Sequence, residues 1–158
     1  INIFLMPSAV FQKVYTPEIH LSASKGSDLH KIVNNRFTLA MLIMGALMSL
    51  LAYFFGKLIP YFFLNNIYST SSFLIEVLSL YILFRYLVSP NSISLLTLNH
   101  TKALNKIIIG VILFQLISLT YILNLEYFQI IYVAWIMVST EILFFLLLRL
   151  YLSKKVFT

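Results

Sequence analysis

Along this chain, long apolar runs alternate with short polar punctuation. Runs of the roughly 20 residues that a helix needs to cross a hydrocarbon core of about 30 Å occur four times. They predict helices over Phe37 to Ile59, from Ser72 onward, over Leu104 to Leu123 and over Phe128 to Leu152. The second poses a question of length: its pattern runs from Phe73 to Val88, meets Ser89-Pro90-Asn91, then resumes with Ile93, Leu95, Leu96 and Leu98. A proline is tolerated inside a membrane helix when neighbours satisfy the freed carbonyl. One kinked helix from Ser72 to Leu98 is therefore predicted, with Asn99-His100-Thr101-Lys102 as a short turn between antiparallel neighbours. The helices carry no convincing short-period repeat.

The segment ahead of the first long run has its own pattern. Ile1 to Val14 is apolar, too short to span, and carries Pro7; it also lacks the basic leader of a secretory signal. We expect it to be the end of a helix that begins upstream, so that residues 1–15 are the end of a truncated transmembrane helix. Residues 16–36 then form a linker. In it, Lys25-Gly26-Ser27-Asp28 combines turn chemistry with an N-cap, Ser27 accepting a backbone N–H and Asp28 facing the positive end of the dipole. Leu29, Ile32 and Val33 recur at helical spacing among Lys31, Asn34, Asn35 and Arg36, which predicts an amphipathic start lying at the headgroups. Within the first span, Gly45, Ser49, Ala52 and Gly56 fall four, three and four apart and form one stripe of small residues, a packing surface.

Composition changes the picture from possible membrane helices to a membrane protein. Of 158 residues, 61% are hydrophobic and only 10% charged, where a soluble domain carries about 25% charged residues. A mean hydropathy of +0.95 excludes a water-soluble enzyme and a disordered chain alike. The expected fold class is all-α, a polytopic membrane helical bundle of four transmembrane helices plus the end of a preceding one.

With no cysteine, thiol–disulfide chemistry, thiolate metal sites and iron–sulfur clusters drop out. His20, His30 and His100 lie in the more polar stretches, which argues against a haem in the spans. Asp28 is the only aspartate, so no Asp-x-Asp metal site exists, and neither a Gly-rich phosphate loop nor a His-Glu zinc motif is present. We expect no enzyme, no cofactor and no metal.

The formal charge is +6. In a lipid-embedded chain, basic residues are orientation signals more often than a nucleic-acid surface, and no nucleic-acid partner is expected. Lys13, Lys25, Lys31 and Arg36 precede the first span, Lys102 and Lys106 sit at the central turn, and Arg149, Lys154 and Lys155 close the last helix. The positive-inside rule then makes these ends cytoplasmic, the C-terminus included. The loops with Asn65, Asn66, Tyr68 and Ser69 and with Asn124 and Glu126 face outward. Tyr61, Tyr68, Tyr121, Tyr127 and Tyr132 form an aromatic belt at that outer edge.

Ionisable residues inside spans are costly in lipid and mark pathways or buried pairs. At 1.5 Å per residue, Arg85 and Glu141 each lie about 18 Å below the outer start of their helices, near the midplane. Their helices run in the same direction, so an ion pair is possible if they are neighbours. Two plainer readings stand beside it: Arg85 snorkelling or bonding to backbone, and Glu141 as a protonated carboxyl within the bundle. Gln115 reaches a similar depth and suits either a packing hydrogen bond or a polar cluster with these two. Glu76 sits near the outer edge, where water reaches it, and Trp135 reads as packing.

Taken in order, these features resemble a known family. An apolar end with Leu5-Met6-Pro7 leads to Lys25-Gly26-Ser27-Asp28 and Arg36-Phe37-Thr38. Tyr53-Phe54-Phe55-Gly56, Tyr68-Ser69, Val77-Leu78-Ser79-Leu80-Tyr81, the Arg85 to Asn91 stretch and Asn99 to Lys102 follow. Ala134-Trp135 then precedes Ser139-Thr140-Glu141. Nearly the whole chain resembles the C-terminal part of bacterial polysaccharide flippases, the O-antigen and capsule repeat-unit transporters of the multidrug/oligosaccharidyl-lipid/polysaccharide exporter superfamily. The motifs are diffuse. The chain departs from the family at Leu64-Asn65, where glycine is common, and at Ile131-Tyr132-Val133, where small residues are.

The resemblance implies a transporter of about twelve to fourteen spans in two bundles around a central cavity. Residues 37–158 supply its four-helix C-terminal bundle, and its N-terminal bundle is the partner. It implies movement of a lipid-linked oligosaccharide, carried on a polyprenyl pyrophosphate, across the bacterial inner membrane, for lipopolysaccharide or capsule synthesis. Arg85 would compensate the pyrophosphate charge, with Glu141 orienting that arginine or coupling an ion, and Gln115 as a third substrate contact. Two other classes remain: a self-contained four-helix membrane scaffold, and the tail of a related drug or cation exporter.

Overall fold

A computed structural model describes residues 2–63, 69–124 and 129–155, without the side chains at 57, 59–63, 69–72 and 155. It holds five helices and, among the described residues, no strand: α1 (Asn2–Lys25), α2 (Ser27–Phe63), α3 (Ser69–Thr97), α4 (Thr101–Leu123) and α5 (Ile130–Lys155). Four of them, α2 to α5, contain stretches long and apolar enough to cross a membrane. The chain is thus an all-α bundle of the multi-pass membrane kind. The outer-loop residues Leu64, Asn65, Asn66, Tyr68, Glu126 and Tyr127, and the side chain of Tyr61, lie outside the described residues.

The first predicted span extends at both ends. At 37 residues, α2 is about 55 Å long and outruns a hydrocarbon core of about 30 Å. The stretch 16–36 is not an extended linker: it is helical on both sides of a break at Gly26, whose φ of +128° turns the chain where a side chain would be strained. Gly26, not Ser27, therefore occupies the position ahead of the helix, and its carbonyl accepts the His30 N–H at 3.1 Å.

Helix α3 runs unbroken through Pro90. Pro90 has no N–H to give the Tyr86 carbonyl; at the following two positions Asn91 Nδ2 donates to the Leu87 carbonyl and Ser92 Oγ to that of Val88. At its end, Asn99 adopts the left-handed conformation (φ 59°) while the His100 N–H reaches the Leu95 carbonyl at 2.9 Å and the Asn99 N–H that of Leu96 at 3.1 Å. This is the Schellman pairing, and it reverses the chain into α4 within three residues.

Helix α3 is the hub, packed against each of the other four. Its contact with α2 rests on the small-residue stripe. Gly45 and Gly56 are buried, Ser49 Oγ donates to the Ser79 carbonyl at 2.8 Å, and a Cβ on Gly45 would come within 2.8 Å of Tyr86 Cβ. On its other side α3 lies parallel to α5, with Val77 against Ala134 and Val138, and Val88 clustered with Leu148 and Leu152. Helix α1 completes the first layer: Tyr15 stacks on Phe37 at 4.7 Å between ring centroids, and Tyr86 donates its hydroxyl to the Phe4 carbonyl. Helix α4 buries only Leu104 and Val111 and turns Ile109, Leu113 and Ile117 outward. An exposed apolar surface of this extent belongs in lipid. Trp135, read from the sequence as packing, is 46% exposed on α5 and belongs to that surface.

Candidate functional site

Two polar constellations interrupt the apolar interior. The first joins α3 and α5 at mid-helix, where Arg85 Nη1 donates to Glu141 Oε1 at 3.2 Å. The parallel run of α3 and α5 brings these residues to one level and makes the helices neighbours, so of the readings left open by the sequence the ion pair is the one that forms. It is asymmetric: the Glu141 side chain is 9% exposed and the Arg85 side chain 49%. Oε1 takes a single guanidinium N–H, and Oε2 is buried with no hydrogen-bond partner in the structure. A guanidinium carries five N–H donors, so one contact to Glu141 leaves capacity for another anion.

The exposed half of Arg85 opens into a groove of about 530 Å³ between α1, α3, α4 and α5. Ser8 and Gln12 of α1 and Ser89 and Ser92 of α3 form its polar wall beside Arg85, while Leu104, Ile108 and Phe144 form the apolar wall opposite. Gln12 Nε2 donates to Ser89 Oγ at 2.5 Å, which ties the two polar contributors together. Residues four and seven apart on α3, 85, 89 and 92, share a face by helical period, and this places a cation and two hydroxyls in a row. Gln115, for which the sequence leaves open a packing hydrogen bond or a polar cluster with the pair, is half-buried on α4; among the described residues it is hydrogen-bonded to neither Arg85 nor Glu141. Helix α4 meets α3 only slightly, so depth alone does not bring Gln115 to the cluster.

The second constellation was not expected. Asn34, read from the sequence as part of the polar side of an amphipathic start, and His30, placed in a polar stretch, are both 0% exposed, whereas Leu29 and Ile32 are 48% and 50% exposed. The polarity of that turn is inverted because α1 folds back over it and α3 covers it from the other side. Ser22 Oγ donates to the Ile19 carbonyl and therefore receives the His30 Nδ1–H at 3.2 Å. That leaves Nε2 as the acceptor for the Ser94 hydroxyl at 2.6 Å. One imidazole thus fastens α1, α2 and α3. Asn34, one turn on, has both amide atoms buried without a hydrogen-bond partner, as is Asn91 Oδ1 on α3. A signal existed in the sequence: His30, Asn34, Phe37 and Met41 continue the Gly45-Ser49-Ala52-Gly56 stripe backwards at steps of three and four.

Replacing Ser94 with alanine is expected to lower stability by about 1–2 kcal/mol, since it strands a buried ring nitrogen. The exposed Ser24, whose hydroxyl also bonds a backbone carbonyl, supplies the control. Unfolding midpoints in detergent that are equal for Ser94→Ala and Ser24→Ala would remove the fastening role of His30.

In comparisons with protein-family models, curated proteins and solved structures, none matches the chain.

Proposed function

We propose that this chain is the C-terminal part of a transporter that moves lipid-linked oligosaccharide, a polyprenyl-pyrophosphate repeat unit, across the bacterial inner membrane. The observation that carries the reading is Arg85: a mid-helix cation, anchored on one side by buried Glu141 and open on the other to a groove with a hydroxyl and amide wall. A pyrophosphate needs charge-assisted donors, a sugar needs hydroxyl and amide partners, and a prenyl chain needs an apolar wall or lipid. The groove offers all three. The order of motifs along the chain supports the same family.

Glu141 weighs against the tail of a cation exporter. Its carboxylate is turned to Arg85 and largely covered, so it is not displayed to a cationic substrate. In a strain lacking the endogenous flippase, the gene encoding this chain is expected to restore surface polysaccharide and relieve accumulation of lipid-linked sugar. Drug resistance without either effect would favour the exporter instead.

Orientation is separately testable because these 158 residues contain no cysteine. Ser24→Cys and Thr101→Cys lie at one end of the bundle and Asn124→Cys at the other. An impermeant maleimide is expected to label Asn124→Cys on intact cells and the other two only after permeabilisation. The reverse pattern would overturn the cytoplasmic placement of the basic end.

A further inference from the structure

A second groove, of about 390 Å³ and sharing no lining residue with the Arg85 groove, lies at the end of the bundle where α4 begins and α5 finishes. Lys102, Lys106, Ile107 and Tyr151 line it. The two lysines are four residues apart, hence on one helix face about 6 Å apart along the axis. Both are exposed, and among the described residues neither forms an ion pair. Tyr151 is fixed as the wall: its hydroxyl lies 3.3 Å from His100 Nδ1, and the two rings meet edge to face at 5.7 Å. Below the groove, α4 continues as the lipid-exposed row of Ile109, Leu113 and Ile117.

We propose that this groove binds the phosphate headgroup of an anionic phospholipid. Two ammonium groups converge on a pocket at the headgroup level, a fixed phenol borders it, and an acyl chain has an apolar helix face to follow directly beneath. A basic pocket at a helix end is the arrangement that suits such a headgroup. The lysines therefore do more than set orientation: they hold a lipid against α4, which buries only Leu104 and Val111. The site is independent of Arg85 and of the transport reading.

The test uses the full chain in detergent, titrated with phosphatidylglycerol or phosphatidylcholine and read by native mass spectrometry. Phosphatidylglycerol is expected to be retained preferentially. Lys102→Ala/Lys106→Ala is expected to weaken its retention about thirtyfold, at about fivefold per lysine, and Lys102→Gln/Lys106→Gln, which keeps more of the apolar stem, by a similar factor. The control, Lys13→Ala/Lys25→Ala, removes the same charge from α1 and is expected to change retention less than about twofold. Equal retention of the two lipids, or equal losses in the groove and control variants, would overturn the site. Displacement of the lipid by millimolar inorganic phosphate would overturn the lipid assignment in favour of a free-anion site.

Discussion

Under the transport reading proposed above, Arg85→Ala in the full-length protein is expected to cut surface polysaccharide assembly about tenfold or more and also to destabilise the bundle. The two effects have different origins and can be separated. Removing one partner of a buried ion pair costs about 3–5 kcal/mol because the other charge is stranded. Here the cost falls near the lower end, since the Arg85 side chain is half exposed while that of Glu141 is covered. Adding Glu141→Gln removes the stranded charge and is expected to recover most of the stability. It restores no cation to the groove, so the double variant is expected to fold, insert and remain inactive, with transport down about tenfold or more for want of the charge-assisted donor. Arg85→Lys keeps the charge but not the planar fork and should be intermediate. Wild-type polysaccharide levels in the double variant, at equal expression, would show that Arg85 serves packing alone.

The second large effect concerns α2 against α3. Gly45→Leu is expected to destabilise the protein by about 3 kcal/mol or more, the upper range for forcing atoms into a filled interface. A Cβ at Gly45 already meets Tyr86 Cβ at 2.8 Å and the Leu83 carbonyl oxygen at 3.4 Å, neither of them the free end of a flexible side chain. Tyr86 is itself 0% exposed and bonded to α1, so a shift there propagates into the α1–α3 contact. Gly110→Leu on α4 makes the same chemical change where a Cβ meets nothing within 4 Å. It is expected to be neutral or to gain up to about 1 kcal/mol from helix propensity. Unfolding in a denaturing detergent series reads both, and equal midpoints would mean that the stripe is not the α2–α3 contact.

Much of the fold is legible in hydropathy because the solvent of this chain is lipid and length alone sets the spans. The passage of α3 through Pro90 was legible for the same reason, as was the turn at Asn99. Depth and helix direction made the Arg85–Glu141 pair possible, and the packing of α3 on α5, which hydropathy does not give, decided it. The buried His30–Asn34 edge was harder to read because Lys31, Asn35 and Arg36 surround it and give the whole segment a solvated look. Only the helical phase inherited from Gly45 and Met41 distinguishes the covered residues from the open ones. Gln115 shows the converse limit: depth fixes a residue's level but not its azimuth around the helix.

The hub position of α3 has a consequence for biosynthesis. Chain order makes α1 and α2 before α3, and until α3 follows, the α2 edge bearing His30 and Asn34, together with the small-residue stripe, has no partner on its α3 side. That edge is closed only when the third helix arrives with Ser94 and Tyr86. Until then the nascent hairpin presents polar groups to lipid or to the insertion machinery. A ribosome stalled between these helices would therefore leave the form most readily recognised by membrane quality-control proteases.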